Sequence, residues 1–344
     1  MRQEKRLNIL LKCNRYIMYT IQSIVFIIFS LIISACQPSG NRPIERWQHA
    51  VEGAYAGSIS NDGQLSVVSS IHHGISLWDL EKNALIYQWS QQQESSDNIT
   101  LALAISNNNS HVLSANRTNF ALWDIETGQS QGYWQVRNSN IRDIAISNFG
   151  DYLLIGKANG NVVHVTMANG RRLEFLGHSE KINSVDMLPN GRIAISGGND
   201  FVAYVWDTVS GQVIYKFNHP SRVSKVALDT YGRYAFTGDS MKGAHIWDLK
   251  TGKLISDLKG TKRQEIFSSI RFSKDGQTML TGAANRKVSV WEVATGKRLS
   301  QWKVSPKEAN RPTGAVVYSV AFGDNGKILT ESSSGYAELW QIPQ

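Results

Sequence analysis

One motif recurs along this chain at intervals of about 41 to 49 residues, an apolar pair ending in Trp and followed by a turn. It reads SLWDLEKN at Trp78, ALWDIETG at Trp123, YVWDTVSG at Trp206, HIWDLKTG at Trp247, SVWEVATG at Trp291 and ELWQIPQ at Trp340. A degenerate copy, HVTMANG, puts Val165 where the others carry Trp, which makes seven. Repeats of this length cannot bury their apolar faces alone, so they must stack on their neighbours in an array or a closed ring.

Each copy is preceded by an alternating apolar segment, in order AYAGSIS, LALAIS, IRDIAIS, INSVDML, VSKVALD, FSSIRFS and VYSVAFG. Several of these end in turn chemistry such as Asn61-Asp62-Gly63, Asn190-Gly191, Lys274-Asp275-Gly276 and Asp324-Asn325-Gly326. Period-two alternation bounded by such turns gives short antiparallel strands in sequence. A composition of 28 Gly, 7 Pro and 10 Trp suits many short strands better than helices around a sheet. With these motifs, residues 44–344 resemble the WD-repeat family. The resemblance implies an all-β fold, a seven-bladed β-propeller with four strands per blade around a central channel.

An aromatic residue or Leu recurs in the strand after each motif, at Trp89, Trp134, Phe175, Phe217, Leu258 and Trp302. The chain ends four residues after Trp340, so the seventh blade lacks an outer strand of its own. Ile44-Glu45-Arg46-Trp47-Gln48 has the pattern of the later outer strands, and the spacing predicts that it completes the last blade. Closure of this kind pairs an edge that would otherwise be exposed.

Residues 1–35 carry Arg2, Lys5, Arg6, Lys12 and Arg15 before the apolar run IVFIIFSLII and the small residues Ser34 and Ala35. That order is a secretory signal. Ile33-Ser34-Ala35-Cys36 resembles the lipobox of bacterial lipoproteins, which implies lipidation at Cys36 and cleavage before it. Residues 36–43 are then a lipidated Cys and tether, and Gln37 favours the outer membrane, facing the periplasm, in an enterobacterial type of cell. The bland reading is an uncleaved signal anchor, since Tyr16–Ala35 is long enough to span a bilayer. Cys13 and Cys36 are the two cysteines, so there is no disulfide framework and no cysteine metal site. Of the formal charge of +8, half lies in residues 1–35, which leaves little support for a nucleic-acid partner.

His178, Ser196 and Asp200 have the residue types of a nucleophilic triad. Their spacing from Trp206 instead matches a structural network: the family resemblance implies that His178 (after Gly177), Ser196 and Asp200 bond in series and pin the loops to the indole. By this reading only the fourth blade has the full set, since the fifth has Thr237 and Trp247 but Met241 at the Asp position. Asp79, Asp124, Asp207 and Asp248 each precede a turn and read as turn caps.

Two loops that lead from an outer strand to the next inner strand are long, 90–98 and 305–314. Both fall on the sector of blades seven, one and two, with the His72-His73 pair between them. The candidate binding residues are therefore His72, His73, Gln92, Glu94, Asp97, Lys307, Glu308 and Arg311, with a mild cationic tint from Arg117, Arg286, Lys287 and Lys303. No third ligand accompanies the two histidines, so no metal, and no other cofactor, is expected. The whole reads as a monomeric, membrane-anchored protein-interaction scaffold in the cell envelope with a protein partner, and not as an enzyme. The alternative is a propeller hydrolase, lyase or lactonase, or a ligand sensor, working at the channel mouth; against it, the inner strands show no repeated inward-facing acids or histidines.

Overall fold

A computed structural model describes residues 42–342, except 71, 91–98, 262–264 and 308–313. The signal sequence and Cys36 lie outside the described residues. So do Gln92, Glu94, Asp97, Glu308 and Arg311.

The alternating segments form seven four-stranded antiparallel sheets, each with its strands in sequence order except at the closure. Blade one comprises Ala56–Ile59, Leu65–Ser70, Gly74–Asp79 and Ala84–Trp89, and blade two Ala102–Ile105, His111–Ala115, Asn119–Asp124 and Ser130–Gln135. Blade three comprises Ile141–Ile146, Tyr152–Lys157, Val162–Thr166 and Arg172–Phe175, and blade four Ile182–Met187, Ile193–Gly198, Val202–Asp207 and Val213–Asn218. Blade five is Val223–Leu228, Tyr234–Asp239, Ala244–Asp248 and Leu254–Asp257, and blade six Phe267–Phe272, Thr278–Ala283, Lys287–Glu292 and Arg298–Lys303. Blade seven takes Val317–Phe322, Lys327–Ser332 and Tyr336–Gln341 from the end of the chain and Glu45–Gln48 from its beginning. Inner strands touch in cyclic order, and that of blade seven meets that of blade one. The ring of seven blades expected from the repeats is thus closed as anticipated.

The core lies between blades. Ala145, Leu154, Val162 and Phe175 of blade three are buried against Ile182, Val185, Met187, Ala194 and Trp206 of blade four. In blades two, four and five the motif Trp turns back onto the outer strand of the preceding blade. Trp206 stacks on Phe175 at 4.6 Å, Trp247 on Phe217 at 4.1 Å and Trp123 on Trp89 at 5.1 Å between ring centroids. Each stacked pair adds about 0.5–1.5 kcal/mol beyond the area that it buries. The recurrent aromatic in the outer strands is therefore the receptor for the next blade's indole. A register shift falls at the Trp where the third strand meets the outer one, in blades one, two, four, five and six. Blade three, with Val165, pairs without that shift. Accordingly Phe175 follows Val165 by ten residues, where the other intervals are eleven.

Closure uses more than strand pairing. Trp47 faces Ala337 in register, and the Ile44 amide donates to the Leu339 carbonyl at 2.7 Å. Just beyond the closing strand, the buried His49 stacks on Trp78 of blade one, with centroids 4.6 Å apart and planes 7° off parallel. Its Nδ1 lies 3.0 Å from the Glu331 carboxylate of blade seven, which also accepts the Ser66 hydroxyl of blade one at 2.8 Å. One imidazole thereby ties the N-terminal segment to both blades at the seam. The adjoining turn needs Gly335, whose φ of +82° is left-handed and whose missing Cβ would fall 1.9 Å from the Ala50 carbonyl oxygen.

Deleting Ile44–Gln48 is expected to lower the melting temperature of the whole ring in a single transition, and an unchanged value in a thermal melt would refute the closure role. His49→Ala, which leaves the buried Glu331 with one partner fewer, is expected to cost about 1–3 kcal/mol in denaturant unfolding.

Candidate functional site

The loops from outer to next inner strands and those from second to third strands share one face. Two polar networks support it. In blade four, His178 Nδ1 lies 2.9 Å from the Asp200 carboxylate and Nε2 lies 2.9 Å from the Ser196 hydroxyl. Asp200 also accepts the Ser179 and Val202 amides, so one carboxylate fixes both loops. Burial pushes its carboxyl upward, but the bond and charge of His178 and the backbone amides outweigh this and hold it below the ordinary range. The fourth member is not engaged: Trp206 Nε1 has no hydrogen-bond partner, because the ring lies flat on Phe175 instead. The expected link from Ser196 to the indole is corrected accordingly.

Blade five holds the fuller set, which overturns the expectation that only the fourth is complete. His219 Nε2 is 2.9 Å from the Thr237 hydroxyl, Trp247 Nε1 donates to the same oxygen at 2.8 Å, and His219 Nδ1 is 3.3 Å from Asp239. The acid sits two residues before Met241, where it also accepts the amides of Met241, Lys242 and Gly243 and so builds the turn itself. A signal was present in the sequence: His219 precedes Thr237 by eighteen residues, as His178 precedes Ser196. Elsewhere the hydroxyl–indole bond stands without a histidine, Thr281 to Trp291 at 2.9 Å and Thr330 to Trp340 at 3.0 Å. Ser114 does the same for Trp123 at 2.8 Å from one residue nearer, because the intervening loop of blade two is shorter.

The two networks present apolar side chains to solvent. Phe201 follows Asp200 directly, is 50% exposed, and has a φ of +68°, a left-handed conformation that a bulky residue adopts only at a cost. Met241 on the neighbouring turn is 41% exposed and Leu176, two residues before His178, is 70% exposed. The His219 amide donates to the Phe201 carbonyl, so the two turns are joined through His219 and Asp239. Three exposed cations stand on the same loops: the Asn199 amide donates to the Lys181 carbonyl, the Ser240 amide to the Arg222 carbonyl, and Lys242 adjoins Met241. Glu180 is the exposed acid here; Glu174 and Asp257 on nearby outer strands are engaged by Asn161 and His245. Sequence reasoning passed over this sector because its loops are short.

In the sector of blades seven, one and two, the structure brings His72 and Lys307 to one residue. His72 Nε2 lies 2.8 Å from the Glu52 carboxylate, and Lys307 Nζ donates to the Glu52 carbonyl. His73 takes part through its backbone, its carbonyl accepting Gln88 Nε2 at 2.9 Å. Among the described residues no group of three His, Cys, Asp or Glu side chains is placed to hold a metal ion.

Two segments of the chain, residues 170–207 and 252–292, match the sequence model of the family described as WD domain, G-beta repeat. They coincide with the end of blade three through the third strand of blade four, and with the junction of blades five and six. The chain carries WD repeats. It is similar to the WD repeat-containing protein SL1-17 of Schistosoma mansoni, 28% identical over 167 residues, which are 47% of this chain and 53% of that protein. It is also similar to a WD repeat-containing protein of Synechocystis, sll1491, 36% identical over 78 residues, 22% of each chain. The matches thus span about half or less of those relatives' lengths.

The channel wall carries two acids, which stand at different positions of their strands and so form no repeat: Asp143 and Asp186 line it with Lys225 and Arg271 around a cavity of about 200 Å³. Their chemistry is structural. The edge of each inner strand turns its backbone amides to the channel, and neighbouring blades cap several of them. Asp143 accepts the Val185 amide at 3.0 Å, Asp186 the Leu228 amide at 2.8 Å, Ser269 the Val320 amide at 3.1 Å and Ser319 the Ile59 amide at 3.0 Å. Arg271 donates to the Ile59 carbonyl at 2.9 Å and to Asn61. Though these groups touch the narrow channel, protein surrounds them, and desolvation raises the Asp186 carboxyl and lowers the Arg271 guanidinium. On the opposite face the four motif acids cap turns: Asp124, Asp207 and Asp248 each accept an amide three residues on at 2.7 Å, and Asp79 does so at 2.9 Å.

Thr237→Val is expected to destabilise more than Ser196→Ala, by about 1–3 kcal/mol, because it strips partners from both His219 and Trp247 rather than from His178 alone. Burial lowers His219 from its ordinary 6.5, against the pull of Asp239 and with the help of His245. The unfolded chain then binds more protons than the folded one below pH 6.5, so stability falls as pH drops through that value. His219→Asn should flatten this part of a melting temperature–pH curve between 7 and 5; an unaltered slope would assign it elsewhere.

Proposed function

We propose that this WD-repeat propeller is an exported, lipid-anchored scaffold whose loop face binds a protein in the cell envelope. The observation that carries the binding reading is the strained, half-exposed Phe201, held on the Asp200 network beside Met241 and Leu176, with Lys181, Arg222 and Lys242 on the same loops. An aromatic anchor in a conformation unfavourable to the fold, on a rigid base with basic neighbours, has the make-up of an interface centre rather than of ordinary surface. Among the described residues the groups of triad type are consumed in bonding loops to strands, and the channel acids in capping backbone amides.

Lipidation at Cys36 and location at the outer membrane rest on the basic, apolar and small-residue order of residues 1–36. Residue 42 enters the closing strand from the end opposite the loop face, which supports the reading that an anchored propeller offers that face to the periplasm. The described ends of the long loops at 90–98 and 305–314 lie on the same face, in the sector of Glu52, His72 and Lys307.

Photo-crosslinking residues placed at Phe201 and Met241, and at Phe149 on the opposite face, test the reading in intact cells. Discrete protein adducts are expected from the first two sites and none from Phe149, with yields reduced when Cys36→Ala releases the anchor. Equal adducts from both faces, or none from either loop-face site, would overturn it.

A further inference from the structure

Blade three departs from the repeat at the one position on which inter-blade packing turns. In the other blades the motif indole fills the space against the preceding outer strand. Here Val165 stands in its place, and the outer strand of blade two, which carries Trp134, has no indole to receive. Trp134 leans on Phe120 of its own blade instead, at 5.2 Å. Between blades two and three lies a cavity of about 520 Å³, within the range of sites that enclose small organic ligands.

Its floor is apolar and buried, formed by Phe120, Ile155, Val163 and Val165, with Trp134 as a half-buried wall. Its rim is charged. Arg137 and Arg172 are exposed at the mouth and make no ion pair among the described residues, while Lys157 lies 3.9 Å from Glu174. Arg172 stands directly opposite Val165 in the strand register, so a guanidinium is positioned beside the vacancy itself. Three cations against one carboxylate, which Asn161 also engages, leave the mouth positive.

We propose that this cleft is a binding site for a small aromatic acid, a planar ring carrying a carboxylate. The ring occupies the place of the absent indole, stacking on Trp134 as Trp123 stacks on Trp89 one blade earlier. The carboxylate is held at the rim by Arg172, whose planar donor fork matches its two oxygens. The site lies between the outer strands of blades two and three, with Arg137 and Lys157 at its loop-face end, and stands independently of the scaffold reading.

Indole-3-propionate, neutral indole and cationic tryptamine, titrated against the full chain in detergent by calorimetry, test the proposal. Indole-3-propionate is expected to bind at least tenfold more tightly than tryptamine, with indole between. Val165→Trp should abolish that binding and raise the melting temperature by restoring the repeat. Val165→Phe serves the same purpose if the larger ring prevents folding. Arg172→Gln should weaken indole-3-propionate about tenfold and leave indole within twofold. No binding of indole-3-propionate at millimolar concentration, equal affinity for tryptamine, or binding that survives both Val165 variants would overturn the site.

Discussion

Everything in this ring depends on one contact made over and over: the flat face of a motif side chain against the outer strand of the blade before it. A four-stranded blade is too small to enclose a core, and its apolar residues are buried only when a neighbour covers them. The indole spans that gap, with its ring on the neighbour's aromatic in blades two, four and five and on Leu258 in blade six, and, in blades two, five, six and seven, its N–H on a hydroxyl of its own second strand. Because each blade is both donor and receiver, a change in one is felt by the next. Blade three shows it: with Val165 the strand loses its register shift, the interval to Phe175 shortens, and the preceding Trp134 takes up another partner.

The polar groups follow a second rule. Inner strands leave one edge unpaired toward the channel, and buried backbone amides must find acceptors. Aspartates and serines from the adjacent blade supply them, so that charges which in isolation suggest catalysis are taken up in holding blades at a fixed angle. The histidine networks of blades four and five do the equivalent work on the loop face, and their rigidity lets Phe201 and Met241 stand in water without collapsing onto the fold.

Strand number, blade count and closure were legible in the sequence because they are periodic: Trp78 through Trp340 mark third strands, and the missing outer strand points to its substitute at Trp47. The network of blade four was legible as far as its spacing matched. That of blade five was not, since Asp239 reached His219 from a different turn position, and only the interval between His219 and Thr237 betrayed it. The seam at His49 gave no signal, because a histidine, a glutamate and a serine 265 or more residues apart along parts of that triangle meet only once the ring has closed. Nor could the unpaired indole of Trp206 be foreseen; Phe175 won the ring by stacking, and geometry left its N–H aside.

The seam has a temporal consequence. The strand at Glu45–Gln48 is among the first of the folded part to be synthesised, and its partner at Tyr336–Gln341 is the last. Until blade seven is present, that early strand has no edge to join and His49 lacks the carboxylate of Glu331. The final blade therefore acts as a clasp that fastens only once Tyr336–Gln341 is in place, and a polypeptide interrupted before Tyr336 leaves Glu45–Gln48 without its partner strand.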